Sequence, residues 1–457
     1  MILRSLILFA LFVTLKASTP NIILIYADDL GYTDLSCQGS TYYETPNIDR
    51  LAKEGMNFTQ AYAGAANCAP SRACLMTGSY SPRHGIFTVG NSDRGKARHR
   101  QLIPTQNTTI LDQKFTTIAE ALKAKGYQTC VAGKWHLTED PTKDGFDTNF
   151  GGTTWGHPKS YFSPYKNPYL KDGPKGEHLP ERLGREVSAW IKKNAAKPFF
   201  VYFPCYSVHT PIQAKQEDTD RFAKKQGNAS HNHPKYAAMI HSMDQAVGQI
   251  LDTLDALQLA ENTLVIFTSD NGPHGKYSSA KPLRGSKGMY YEGGIREPFL
   301  VRHTGTIQAG SKNKTPIHQI DLFPTFLAVI EAKAPKTQPL DGINLLPAFS
   351  GDALPSRSLF WHFPAYLQGY RDDPDARSPH FRTTPCSVIR EGDWKLIQYH
   401  EDGSLELFNL AEDLSEKNNL AKKNHEQAQA MLKKLQAWQQ ETKAPIPDKK
   451  NPKYQAK

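Results

Sequence analysis

Cys68-Ala69-Pro70-Ser71-Arg72 opens a run that continues through Ala73-Cys74-Leu75-Met76-Thr77-Gly78, and it sets a nucleophile-type side chain one turn ahead of a permanent cation. Pro70 suits a first helical turn, so the spacing predicts a short helix with Cys68 at its N-terminus. Unpaired N–H groups and the helix dipole favour negative charge there. An oxyanion formed at residue 68 would therefore be stabilised, with Arg72 adding its charge. A second constellation is acidic: Asp28-Asp29 ends one apolar run and Asp270-Asn271 closely follows another. Three carboxylates and an amide oxygen make a hard oxygen set suited to calcium, and less readily to magnesium. A third is cationic and carries Lys134 and His136, then His209, then Lys287. Taken singly, each of these has a plainer reading as a helix cap, a turn or a surface charge. Their shared placement is what raises them.

The elements that must position these groups alternate in type. Apolar runs at 21–26, 56–58, 127–132, 199–203, 264–267 and 299–301 are separated by helical patterns at 46–54, 116–125, 181–194 and 234–257. Near-continuous apolar strands between helices predict an α/β fold, with a large, mostly parallel sheet covered by helices on both faces. Ligands collect at the carboxyl ends of strands in such sheets, which would let Asp28-Asp29 and Asp270-Asn271 converge across some 240 residues of chain. Past residue 340 the texture changes to short strands and tight turns, then a helix near 424–441. The predicted organisation is a signal peptide at 1–18, an α/β domain at 19–340, a smaller antiparallel sheet plus helix at 341–442, and a disordered tail at 443–457.

Residues 1–18 carry Arg4, an apolar stretch from Leu6 to Leu15 and small residues at the end, the pattern of a cleaved export signal. No later stretch is apolar for the roughly 20 residues a membrane span needs, so no stable membrane insertion is expected. Loss of residues 1–18 removes Arg4 and Lys16 and lowers the formal net charge from +10 to +8. That balance suits a polyanionic substrate as well as plain solubility, and no nucleic-acid partner is expected. Six cysteines are too few for a disulfide framework in a chain of 457 residues.

The segments Ile25 to Tyr32, Cys68 to Gly78, Gly133 to Leu137, His209-Thr210-Pro211, Ser269 to Gly272, and Lys287-Gly288 to Arg296-Glu297-Pro298 resemble, in order and context, the type I sulfatases of the alkaline phosphatase superfamily. The resemblance covers roughly residues 20–420. It implies an alkaline phosphatase-like fold and oxidation of Cys68 to formylglycine by a maturation enzyme. It further implies one calcium ion held by Asp28, Asp29, Asp270, Asn271 and the modified residue 68, and hydrolysis through a covalent sulfo-enzyme. Arg72 would stabilise the hydrated aldehyde, and Lys134 and Lys287 would neutralise the sulfuryl group. His209 would act as general acid on the leaving oxygen, and His136 would take the proton that releases sulfate.

Asn271 separates this reading from a formylglycine phosphodiesterase or phosphonate hydrolase, since phosphoester relatives carry histidine there for a transition metal. The same motifs would also suit a small-molecule arylsulfatase or, with turnover lost, a non-catalytic binder of sulfated glycans. Trp155, His157, Arg284, His362 and Arg371 are candidates for the pocket entrance, where aromatics suit sugar faces and arginines suit anionic groups. Export, positive charge and this lip favour a sulfated carbohydrate in a periplasmic or secreted setting, and the resemblance to the sulfatases implies units of galactose or N-acetylgalactosamine type.

Overall fold

The computed structural model describes residues 19–370 and 373–455, so the expected signal peptide and Arg371 lie outside the described residues. The main sheet has eight strands: β1 (Asn21–Ala27), β2 (Met56–Phe58), β3 (Gln128–Ala132), β4 (Thr148–Phe150), β5 (Phe199–Pro204), β6 (Thr263–Ser269), β7 (Phe299–Arg302) and β8 (Ser311–Asn313). Their spatial order is β8-β2-β7-β6-β1-β5-β3-β4. Only β7 runs antiparallel to its neighbours, β2 and β6.

β1 shows why the sheet needs two covers. Ile23, Ile25 and Ala27 point into one apolar cluster, while Ile22, Leu24 and Tyr26 point into another. All of β1 is buried, so the strand reads as unbroken apolar rather than alternating. Helices α1 (Pro46–Glu54), α3 (Leu179–Asn194) and α4 (Pro234–Ala256) supply the first cluster, and the short helix α2 (Cys68–Thr77) lies against the second. All ten residues of α2 are buried, so nothing at its N-terminus is placed by a solvated helix face.

The smaller C-terminal sheet is fully antiparallel, in the order β9 (Ser358–Phe363), β10 (Cys386–Glu391), β11 (Trp394–Tyr399) and β12 (Leu405–Asn409). One face packs on α5 (His425–Glu441) through Ile389, Leu396, Leu407, Met431 and Leu435. The other packs on Tyr62, Met289 and Tyr291 through Trp361, Phe363, Val388 and Phe408. The sheet is thus a middle layer, and it presses on the segment that carries Lys287.

Two expectations change here. The tail, expected to be disordered, is held: Leu102 bridges Lys450, the Ile103 amide donates to Lys449 O at 2.8 Å, and Asn451 Nδ2 donates to Ala97 O and Arg100 O, each at 2.8 Å. Its Lys/Pro composition bars a helix but not extended pairing with the loop at 97–103. His362, expected at the pocket entrance, lies inside β9, where its neighbour Trp361 donates from Nε1 to Ala63 O at 2.8 Å. All six cysteines are free thiols, and no helix among the described residues is long and apolar enough to cross a membrane.

Candidate active site

Parallel register brings the acidic tips together. Ala27 of β1 pairs with Ser269 of β6, so the next residues, Asp28 and Asp270, leave the sheet side by side. Asp29 adopts φ 60°, a left-handed conformation uncommon outside glycine, and its amide donates to Asp270 Oδ1 at 3.2 Å. Asn271 Nδ2 donates to Asp29 Oδ1 at 2.8 Å. Asn271 Oδ1 is buried and, among the described residues, accepts no hydrogen bond. An unspent oxygen among three carboxylates is what a hard cation requires.

Each carboxylate has its own cation. Lys134 Nζ sits 2.9 and 2.8 Å from the two oxygens of Asp28, and Lys287 Nζ sits 2.8 Å from Asp29 Oδ2. Arg72 donates from Nε (3.0 Å) and Nη2 (2.7 Å) to Asp270 Oδ2, and from Nη1 to Lys134 O at 2.7 Å. Burial works to raise Asp29, but the ammonium groups of Lys287 and Lys134 outweigh it and hold the carboxyl well below the usual range. Gly133 makes this approach feasible: at φ +122° its Cβ position lies 2.0 Å from Pro204 O, so no side chain fits before Lys134.

Cys68 is buried at the start of α2, and its sulfur lies within 4.8 Å of carboxylate oxygens of Asp28 and Asp270. Burial, ahead of the opposing lysines, raises its thiol above the ordinary value. A protonated buried thiol is a poor nucleophile. His136 also has positive φ (66°), and its Nδ1 is buried without a partner among the described residues. His209 Nδ1 lies 2.8 Å from Thr210 O, so it donates there and turns Nε2 toward Asp29 Oδ2 at 3.7 Å. Burial, then the surrounding cations, pushes His136 well below its ordinary range, and burial followed by Lys287 does the same to His209. Both rings are therefore neutral at neutral pH.

The structure thus brings Cys68, Arg72, Lys134, His136, His209, Lys287, Asp28, Asp29, Asp270 and Asn271 to one end of the sheet. The entrance candidates divide. His157 stacks parallel to His209 with centroids 6.2 Å apart, and Trp155 lies under Lys159 Nζ at 4.6 Å. His362 is a correction: it is buried in β9, with Nδ1 2.8 Å from Ser387 Oγ and Nε2 3.1 Å from Pro445 O. Arg284 is another, because its donors go to Glu416 O and Asp375 O and its plane stacks on Tyr291 at 3.8 Å.

Sequence reasoning missed Gln319. Its Oε1 accepts from Tyr26 (2.5 Å) and Ser71 (3.0 Å) while Nε2 donates to Ser269 O at 2.5 Å, so one side chain ties α2 to β1 and β6. The available signal was a polar residue just before the apolar helix that begins at Leu322.

The family pattern described as Sulfatase matches residues 20–332. The chain belongs to the sulfatase family. It is a sulfuric ester hydrolase of the alkaline phosphatase superfamily. Residues 285–442 match the pattern described as N-sulphoglucosamine sulphohydrolase, C-terminal. A sulfatase of Formosa agariphila is 35% identical, over 93% of this chain and 90% of its own length. The N-acetylgalactosamine-6-sulfatase of Canis lupus familiaris is 33% identical, over 75% of this chain and 68% of its own. The crystal structure of Ps i-CgsB in complex with k-i-k-neocarrahexaose superposes with a TM-score of 0.76 at 30% identity, covering 94% of this chain and 95% of that one.

Proposed function

We propose that this sulfatase is exported to the periplasm or beyond, and that it removes sulfate from carbohydrate chains of galactose or N-acetylgalactosamine type after a maturation enzyme converts Cys68 to formylglycine. The observation that carries this reading is Cys68 at a buried helix start, within 4.8 Å of the oxygens of Asp28 and Asp270. An N-acetylgalactosamine-6-sulfatase and a carrageenan-oligosaccharide complex among the similar proteins support the sugar class.

In this reading Asp28, Asp29, Asp270 and Asn271 hold calcium together with residue 68, and the spare Asn271 Oδ1 suits that cation better than a softer metal. Calcium would supply Lewis-acid polarisation of the sulfate, and formylglycine a hydrated aldehyde as nucleophile. Arg72 is fixed by Asp270 and the Lys134 carbonyl beside residue 68, so its charge is placed in advance. Lys134 and Lys287 hold ammonium groups where a sulfuryl group would carry its charge. His136, neutral and with Nδ1 unpartnered among the described residues, suits a base that takes a proton from residue 68. His209 presents Nε2 to the site as an acceptor, so acting as acid requires that it first be protonated. A bound sulfate ester supplies negative charge that favours this.

The test is mass spectrometry of the tryptic peptide Glu54–Arg72 alongside sulfate release from defined sulfated oligosaccharides. Activity should track the formylglycine fraction, and Cys68→Ala should be inactive. Substantial turnover from wholly unconverted protein would overturn the proposal, and turnover of aryl sulfates alone would overturn its carbohydrate part.

A further inference from the structure

Two guanidinium groups beside the candidate site hydrogen-bond only to neutral partners among the described residues. Arg382 is almost wholly buried, yet its Nη1 donates to Lys287 O (3.0 Å) and Tyr370 Oη (2.7 Å), and its Nε donates to Gln368 O (3.1 Å). Arg94 is half-buried and donates from Nε to Gln368 Oε1 at 3.0 Å, on the other side of the same residue. Among the described residues no carboxylate lies within ion-pair distance of either. Asp29 and Asp373 act on Arg382 only at longer range, so burial still leaves its charge without a direct partner, a cost that an arriving anion offsets.

Tyr370 adds a donor. The Lys276 amide donates to His274 Nδ1 at 3.3 Å, so the neutral ring carries its proton on Nε2, which lies 3.1 Å from Tyr370 Oη. Burial holds His274 down to about 4, so the ring is neutral at neutral pH. The phenol oxygen then receives two donors, from His274 and Arg382, and its own O–H is left for an acceptor outside the protein. Tyr370 also lines an adjoining cleft of about 470 Å³, whose wall carries Lys276, Lys281 and Ser286 and, on the other side of the charge balance, Asp373 and Asp375. That size is typical of pockets that hold small ligands.

We propose that Arg94, Arg382 and Tyr370 form a second anion subsite, which binds a further acidic group, sulfate or carboxylate, on the same sugar chain whose sulfate ester is cut at residue 68. The inference rests on the carbohydrate sulfatase reading and narrows it to polyanionic chains. Arg382 reaches the subsite from the carbonyl of Lys287, so the second anion sits next to the sulfuryl site rather than at a distant surface. The chain beyond it would run into the cleft beside Tyr370.

The experiment uses the matured full-length enzyme and three oligosaccharides that share one sulfated sugar: one with no other charge, one with a second sulfate, and one with a neighbouring uronic carboxylate. The wild type should favour at least one dianionic substrate in kcat/KM on the order of 10- to 100-fold, the factor carried by charged hydrogen bonds. Arg94→Gln, at a half-buried position that tolerates the change, should collapse this preference toward one, chiefly through KM. Arg382→Gln should do the same. The two dianionic substrates distinguish sulfate from carboxylate. Equal kcat/KM for all three substrates in the wild type, or an Arg94→Gln enzyme that keeps the preference, overturns the subsite while the sulfatase reading stands. No sulfate release from any of the three, with turnover of an aryl sulfate, overturns the carbohydrate reading and the subsite with it.

Discussion

Replacing Arg72 tests whether the site is built as described. Its guanidinium is fully buried and its Cζ lies 5.1 Å from the Tyr26 ring centroid. It makes two hydrogen bonds to one Asp270 oxygen, one to the Lys134 carbonyl and a longer one of 3.4 Å to Tyr202. Arg72→Met strands the Asp270 carboxylate, and breaking one side of a buried pair costs about 3–5 kcal/mol. An unpaired Lys134 carbonyl adds about 1–3 kcal/mol. Together these consume much of a typical folding stability of about 5–15 kcal/mol, so the methionine variant should be poorly folded.

Arg72→Lys is the sharper perturbation because it keeps the charge and loses only the fork. A single ammonium cannot hold both the Asp270 oxygen and the Lys134 carbonyl in the arginine's plane, so one charged hydrogen bond goes, worth about 1.5–3 kcal/mol. Urea unfolding should show that loss. Well below the transition, kcat/KM should fall by about 10- to 100-fold, since both Asp270 and Lys134 shift. Arg50→Lys is the control: Arg50 pairs with Glu54, Asp252 and Asp255 at the surface, where such pairs are worth about 0–1 kcal/mol. An Arg72→Lys enzyme as stable and as active as the Arg50→Lys enzyme would refute the reasoning.

Two further outcomes are expected. Calcium binding should raise the thermal midpoint and a chelator should lower it, with linkage giving about 2.7 kcal/mol at a free concentration one hundred times Kd; Asn271→Ala should shrink the shift, and a midpoint indifferent to both additions would remove the cation from the site. His362 is held down to about 3 by burial, then by His400, whereas an unfolded histidine titrates near 6.5. Between those values the unfolded chain binds the extra proton, so stability should fall as pH drops from about 6.5, by up to about 2 kcal/mol at pH 5. His362→Gln should flatten that slope, and equal slopes for the two proteins in urea titrations would contradict it.

Much of the candidate site was legible because Asp28, Asp29, Lys134, Asp270 and Asn271 follow apolar strands whose parallel register is set by hydrophobic burial. Once Ile22–Tyr26 and Leu264–Phe267 are both buried strands, Asp28 and Asp270 must leave the same edge of the sheet. The entrance was not legible for a converse reason. His362 reads as part of a sugar-binding lip because it sits among aromatics, but aromatics around one polar side chain are also what a strand with two covered faces shows when that side chain finds a buried partner. Ser387 and Pro445 are those partners for His362, and neither is near it in sequence. Arg94 escaped notice because it approaches the site through Gln368, a contact of high sequence separation.

The pairing of cations with carboxylates also sorts the three cations by task. Arg72 spends its planar fork on Asp270 and a carbonyl, and Tyr26 and Tyr202 pack on it, so its charge is locked in place. Lys134 and Lys287 hold Asp28 and Asp29 by ammonium groups, which act as point charges rather than as planar forks. Lys287 is the more accessible, with 12% of its side chain exposed against none for Lys134. In the proposed reaction a sulfuryl group arriving at residue 68 would compete with Asp29 for Lys287 first, while Arg72 would keep its partners. The same difference is why Arg72→Lys is expected to lose activity, although two lysines serve in the same site.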